Sequence, residues 1–159
     1  MQNLGQFLIR PAERGDEHGI LRCLAAAFGP YRTSYTREAY ADTVLDEASL
    51  AERLRRMHVL VAASTEQIAG TVAALLADGE GHLRGMAVLP ACRGKGLAAA
   101  LLAAIEGWLK DHGGKRVTLN TTLPLQTTIK FYEKNGYRRS GRIADFFGMP
   151  LVEYVKELH

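Results

Sequence analysis

Apolar positions along the chain switch between a helical and an extended period, and the switches divide it into elements. Phe7–Ile9 reads as a short strand stopped by Pro11. Asp16 stands as an N-cap before a helix that carries Ile20, Leu21, Leu24, Ala27 and Phe28 at helical spacing and ends at Gly29-Pro30. Thr36 is a second N-cap candidate. The helical stretch after it reaches Met57, with a stripe at Leu50, Leu54 and Met57 and an expected break near Asp46. Three extended runs follow: His58–Ala63, Ile68–Leu76 and His82–Val88. Ser64–Gln67 and Asp78–Gly81 are the turns between them, which makes an antiparallel meander. A long helix from Leu97 has its stripe at Leu97, Leu101, Ile105 and Leu109. Lys110 and His112 sit at its negative end, and Gly113-Gly114 close it. The strand Arg116–Asn120 must then cross over and lie parallel to its predecessor. A helix started by Pro124 stops at Asn135-Gly136, and strands near Tyr137–Ile143 and Met149–Glu157 complete the chain. Pro150 cannot donate to a ladder, so the last strand belongs at or near a sheet edge. The pattern predicts an α/β fold in one domain, residues 1–159, with a mixed central sheet of about seven strands flanked by helices.

Composition narrows the partners. The 159 residues are 47% hydrophobic and 23% charged, enough for one sizeable core. A net charge of +3 with scattered Lys and Arg favours an anionic ligand and argues against DNA. The two cysteines, Cys23 and Cys92, lie far apart in a chain that reads as having no signal peptide, which predicts free thiols and a cytoplasmic location. The longest apolar run is too short for a bilayer, so no membrane is expected. No His, Cys and Asp cluster has metal-ligand spacing.

The chemistry concentrates between Gly85 and Lys110, GMAVLPACRGKGLAAALLAAIEGWLK, a strand, a glycine-bearing loop and a helix. The loop offers no Ser, Thr, Asp or Asn where the helix begins, so the first-turn N–H groups lack a side-chain cap. Such donors at the positive end of a helix attract an anion, and Gly94 and Gly96 let a phosphate approach the backbone. A Walker loop would need Gly-Lys followed by Ser or Thr; here Gly94-Lys95 precedes Gly96. Gly94, Gly96 and Ala99 imitate a dinucleotide fingerprint, but the next strand, Arg116–Asn120, carries no ribose-binding carboxylate. A third pattern, R-x-x-G-x-A, is met by Arg93, Gly96 and Ala98 after a strand ending Val88-Leu89-Pro90.

A downstream segment carries a second pattern: Thr128-Ile129-Lys130-Phe131-Tyr132-Glu133-Lys134-Asn135-Gly136-Tyr137. In this order, the two segments resemble the GCN5-related N-acetyltransferase (GNAT) family, closely over residues 83–137 and loosely before Tyr40. The resemblance implies acetyl-CoA as cofactor and transfer of its acetyl group to a primary amine of a small molecule or peptide by direct attack. Carried over, backbone groups of Met86, Ala87 and Val88 pair with the pantetheine arm beside a bulge. The pyrophosphate falls on Gly94, Lys95, Gly96, Leu97, Ala98 and Ala99. Arg93 caps the loop or touches a phosphate, and Lys95 adds charge or is simply solvated. A backbone N–H near Val88 is placed to polarise the thioester carbonyl.

Expelling a thiolate needs a proton, and Tyr132 occupies the position where the family carries its general acid. It shares a helix face with Leu125 and Ile129; without the upstream loop it would read as a packed core tyrosine. Two departures stand out. Leu125 replaces an Asn that many members use on the cofactor. Asn120 stands where some peptide-acetylating members carry a glutamate base, which argues against that arrangement. Glu80, His82 and Glu38 are base candidates that read first as surface residues, and Cys92 beside the helix N-terminus, a candidate thiol nucleophile, reads first as a small loop residue, since the family implies direct transfer. Tyr31, Tyr35 and Tyr40 form either a packed edge or a wall of the acceptor pocket. The rival reading is an acyl-CoA-binding sensor without turnover, which would need no proton donor at the thiol. The expected partners are acetyl-CoA and an amine acceptor, with no nucleic acid; pairing of two copies into a homodimer is left open.

Overall fold

The structure, a computed structural model, describes residues 2–122 and 125–159. In chain order the strands are β1 (Gln2–Leu4), β2 (Phe7–Pro11), β3 (His58–Ala63), β4 (Ile68–Ala77), β5 (Glu80–Val88), β6 (Arg116–Thr122), β7 (Arg138–Phe146) and β8 (Met149–Glu157). The helices are α1 (Glu17–Phe28), α2 (Arg37–Thr43), α3 (Glu47–Arg56), α4 (Leu97–Asp111) and α5 (Gln126–Lys134). One sheet takes the order β1-β2-β3-β4-β5-β6-β8-β7. The described residues form eight strands, in keeping with the mixed sheet of about seven; the first, three residues paired with β2, is too short to show a period. The meander β3-β4-β5 is antiparallel, and the crossover through α4 makes β6 parallel to β5, as the pattern requires. β8 lies second from the edge with Pro150 opposite Asp145, so the missing donor is tolerated there.

The core forms where α1 and α4 cover the sheet. Leu97, Leu101, Ile105 and Leu109 all vanish from solvent beneath α4, so the stripe read from spacing is the buried face. The helical stretch between Thr36 and Met57 breaks as expected. Asp46 caps α3 in a reciprocal box with Ser49, and the Thr36 hydroxyl caps α2 by accepting the Ala39 N–H at 3.3 Å. Asp16 does not cap α1 with its side chain. Its carboxylate turns back to take two bonds from the Arg10 guanidinium, at 2.7 and 3.0 Å, and one from the Glu13 N–H. A bidentate charge-assisted pair outweighs a single neutral cap bond. Pro124 lies outside the described residues; the helix it was expected to start runs from Gln126, with Leu125 at its N-cap.

Candidate active site

The site begins as a defect in the sheet. Opposite Val72, β5 inserts one extra residue: Thr71 pairs with Ala87 and Ala73 with Arg84, leaving Gly85 and Met86 in a bulge. Gly85 holds φ +65°, which glycine adopts without penalty. Pairing between β5 and β6 stops at Leu83 and Leu119, although β5 continues to Val88 and β6 to Thr122. The sheet therefore opens into a wedge. One edge is Arg84–Val88, still held by β4 on its far side, and the other is Asn120–Thr122, held by β8. Backbone polar groups facing such a wedge need partners. An extended ligand that pairs like a strand supplies them.

The wedge leads to the loop. Gly94 and Gly96 both take φ +79°, and a Cβ built on either would meet no atom within 4 Å. The glycines are thus demanded by backbone conformation, and the space above them is open. Gly96 is the α4 N-cap and offers no side chain to the first turn. Among the described residues no acceptor takes the N–H groups of Leu97, Ala98 or Ala99; the first bond of the helix is Ala100 N–H to Gly96 at 3.0 Å. A recess of about 160 Å³ sits here, lined by Val88, Arg93, Gly94, Gly96, Leu97, Ala98 and Ala99, with Cys92 and Phe131. Two of the expected cofactor-binding residues, one on the loop and one on β5, stand apart. Lys95 points away and holds its ammonium 5.8 Å above the Phe7 ring, and Ala87 is buried, with its carbonyl 3.8 Å from the Cys23 sulfur.

A larger cleft of about 740 Å³ adjoins the wedge and is lined by Met86, Leu119, Asn120, Leu125 and Tyr132, among others. Tyr132 is 4% exposed, and no hydrogen bond to its hydroxyl exists among the described residues. Burial pushes the phenol well above its ordinary range, so it is fully protonated at neutral pH. Its position is fixed by the end of α5. Tyr137 N–H bonds to the Tyr132 carbonyl at 3.0 Å and Gly136 N–H to Glu133 at 3.2 Å, the two bonds of a Schellman motif. The motif lays the Tyr137 ring 5.5 Å from the Tyr132 ring. The Tyr137 hydroxyl donates to Glu106 on α4 at 2.7 Å, and the same carboxylate takes Lys156 from β8 at 3.0 Å. The Asn135-Gly136-Tyr137 stop is therefore also a clamp that holds Tyr132.

Of the base candidates only His82 reaches the cleft. Glu80 and Glu38 are exposed, away from it. His82 Nδ1 lies 2.8 Å from the Thr118 hydroxyl, which donates to the Gly81 carbonyl at 3.4 Å. That hydroxyl then accepts Nδ1–H, which leaves Nε2 with the free lone pair. Burial, reinforced by Arg84 and opposed by Glu153 and Glu80, lowers the imidazole pKa. His82 is thus neutral and basic at pH 7. Cys92 is buried and lines the loop recess rather than the cleft, and burial pushes the thiol of nearby Cys23 up to about 12. Neither sulfur is exposed to the cleft. Of the three tyrosines, only Tyr35 reaches the cleft, with its hydroxyl 2.9 Å from the Thr122 hydroxyl; Tyr40 packs edge-on behind it at 6.4 Å. Phe146 and Phe147 at the β7–β8 turn also line the cleft, which no sequence period signalled. Among the described residues no group of His, Cys, Asp and Glu could hold a metal, and no helix is long and apolar enough to cross a membrane.

The sequence matches the family model for the acetyltransferase (GNAT) family over residues 20–137, most of the chain. The chain belongs to the GNAT acetyltransferase family. Its members transfer an acetyl group from acetyl-CoA, and the uncapped loop, the open space above its glycines and the unpaired strand edges fit that cofactor. Many solved structures share the fold. The ribosomal-protein-S18-alanine N-acetyltransferase of Escherichia coli matches with a TM-score of 0.77 at 16% identity, covering 95% of this chain and 93% of its own. The PaiA N-acetyltransferase of Thermoplasma acidophilum, solved in complex with coenzyme A, gives 0.79 at 17%, covering 96% and 99%. A GNAT acetyltransferase of Staphylococcus aureus gives 0.78 at 18%, covering 96% and 99%. No curated protein matches the sequence significantly.

Proposed function

We propose that this acetyltransferase moves the acetyl group of acetyl-CoA directly to a primary amine, with Tyr132 as general acid and His82 as general base. The observation that carries the reading is the protonated hydroxyl of buried Tyr132, which has no hydrogen-bond partner among the described residues and stands in the wall of the cleft that opens from the β5–β6 wedge. Acetyl-CoA supplies the acetyl group as a thioester. Free edge groups of Met86 and Val88 hold the extended arm as an added strand, and Ala87 fixes the β5 ladder beside them. The N–H groups of Leu97, Ala98 and Ala99 take the pyrophosphate, with Gly94 and Gly96 leaving room for it and Arg93 at the rim. The protonated amine has no lone pair; His82 Nε2 removes its proton, directly or through one water. The amine nitrogen then bonds to the acetyl carbon, the carbon–sulfur bond breaks, and Tyr132 gives its proton to the departing thiolate; the second proton leaves the nitrogen as the amide forms and restores the phenol through water, while His82 releases the first to solvent.

The test is release of free thiol from acetyl-CoA on addition of amines, amino acids, aminoglycosides and peptides, with the acetylated product identified by mass. Turnover with at least one amine is expected. Tight CoA binding without thiol release from any acceptor would overturn the direct-transfer reading in favour of cofactor sensing.

A further inference from the structure

The charges around the cleft do not balance. Two carboxylates line it, Asp42 and Glu52, and both are engaged: Asp42 by Arg84 at 2.6 Å, and Glu52 by Arg55 one turn along α3. Arg53 and Arg56 line the same cleft. Arg56 is exposed and costs little unpaired. Arg53 is half-buried, and no hydrogen bond or ion pair to its guanidinium exists among the described residues.

Its place is created by the bulge. A Cβ built on Gly85 would lie 2.4 Å from Arg53 Nη1, so the guanidinium occupies the space where any other residue at 85 would carry its side chain. Burial and the neighbouring Arg84 hold its pKa down to about 10, with Asp42 pulling the other way. It is still a cation at neutral pH. Removing a guanidinium partly from water is costly when the one carboxylate near it, Asp42, is already bonded to Arg84, and its planar fork of donors, still reached by water, is open to a ligand in the cleft. Arg53 is absent from the loop recess, so an anion bound to it is not the cofactor pyrophosphate.

We propose that the acceptor is an amine that also carries a carboxylate, and that Arg53 grips that carboxylate. This rests on the transferase reading for the word acceptor, but the anion site stands on its own geometry. One half-buried guanidinium matches one carboxylate in charge and in bidentate shape. A phosphate dianion would leave a charge unmet. Phe28, Leu45 and Met57 line the same cleft, so the body of the acceptor is apolar. The class is an amino acid with an apolar side chain, seated with its carboxylate on Arg53 and its amine toward the wedge.

The experiment compares matched pairs in the thiol-release assay: L-methionine with L-methioninamide, L-phenylalanine with its amide, and aminoethyl phosphate with ethanolamine. The amide has the lower ammonium pKa and the more available amine, so reactivity alone favours the amide. The proposal expects the acids to exceed their amides in kcat/KM by about 10- to 100-fold, the span of a charge-assisted contact. Arg53→Gln should collapse that ratio toward one through KM, and Arg53→Lys should restore part of it. Melting curves of both variants check the fold. Amides acetylated as well as acids, a preference confined to aminoethyl phosphate, or an acid-to-amide ratio that survives Arg53→Gln would each overturn it. If no amine is acetylated, equilibrium dialysis of methionine against the CoA-loaded protein separates the two readings. Binding lost in Arg53→Gln retains the anion site while the transferase reading falls; no binding to the wild-type chain sinks the anion site.

Discussion

The two sides of the cleft are built from different materials. The side proposed for the cofactor is made of backbone: a bulge at Gly85, strand edges that part after Leu83 and Leu119, and first-turn N–H groups of α4 that find no acceptor among the described residues. The side proposed for the acceptor is made of side chains from separate stretches: Tyr35, Arg53 on α3, His82 on β5, and Phe146 and Phe147 at the far turn. Those stretches are tied together by the Arg84–Asp42 ion pair and by the Thr36 hydroxyl, which donates to the Phe147 carbonyl at 2.8 Å. A backbone site depends on conformation and accepts many side chains around it. A side-chain site depends on which residues the tertiary fold happens to bring together. Substitutions on the first side should therefore act through conformation and close approach, and on the second through chemistry.

The largest effect is expected where conformation matters most. Gly96→Glu places a carboxylate where an anion should sit and forces a left-handed residue, itself a cost of about 1–2 kcal/mol. Replacing two or more charge-assisted bonds of about 1.5–3 kcal/mol each by repulsion should weaken CoA binding by more than about 10²-fold. Gly96→Ala carries the conformational cost without the charge and should lie between. Calorimetry that finds wild-type CoA affinity in a folded Gly96→Glu variant would remove the loop from the site.

Tyr132→Phe tests chemistry on the boundary between the two sides. Its hydroxyl has no hydrogen-bond partner among the described residues, so packing, melting temperature and CoA affinity should hardly change. General acid assistance is worth about 10²–10⁴ in rate, and turnover should fall by that factor. Near-normal turnover, with chemistry shown to be rate-limiting, would make Tyr132 a packing residue.

The same division decides what could be read from the sequence. The loop and the α4 stripe were legible because glycine, the missing cap and a four-residue apolar repeat are local signals. So was the break at Asp46, where a cap residue announces itself. The clamp on Tyr132 was half legible: Asn135-Gly136 marks a helix stop, but the bond from Tyr137 to Glu106 joins residues 31 apart and leaves no local trace. His82 read as a surface residue because an alternating strand cannot tell a solvent face from the wall of a cleft. No sequence signal singled out Arg53 among the charges of α3. Only the bulge at Gly85 on β5, remote in sequence, turns it into a half-buried cation. Asp16 misled for a related reason, since a cap residue cannot announce that an arginine six residues earlier will claim its carboxylate.

His82 gives the next smaller effect, and it has a pH signature. Asn at this position can donate to the Thr118 hydroxyl as Nδ1–H does, while removing the basic nitrogen. His82→Asn should lower kcat by about 10²-fold, the lower end for acid–base assistance, because the half-exposed imidazole is partly replaceable by water. The folded pKa is depressed, so the unfolded chain binds the proton more readily than the folded one. Stability should therefore fall as pH drops below the ordinary imidazole value of about 6.5 and through the folded value. His58, lowered by burial and by His112, acts in the same window. Melting temperature should decline from pH 7 to pH 5, and His82→Asn should remove part of that slope. An unchanged slope would mean that His82 meets solvent freely and is not the neutral base of the cleft.

The smallest effect is expected at Leu125, where the two sides meet. The residue is buried, lines the cleft and holds the N-cap of α5, accepting the Ile129 N–H at 3.0 Å with no side-chain cap of its own. Leu125→Asn thus does three things at once. It removes apolar burial, a loss of about 1.5–3 kcal/mol for a full leucine side chain. It offers a side-chain cap, a gain of about 0.5–2 kcal/mol. It also presents an amide to the extended arm of the cofactor, where one added hydrogen bond is worth about 0.5–1.5 kcal/mol net. The cap and the cofactor bond compete for the same amide oxygen, so CoA binding should tighten by less than about tenfold or stay level, with a modest net change in melting temperature. Leu125→Ala, which removes burial and adds nothing, isolates the first effect. If Leu125→Asn instead weakens CoA binding by several kcal/mol while the fold survives, the leucine itself touches the cofactor. The wall at this point would then be a side-chain site, and the boundary between the two materials would move one residue into α5.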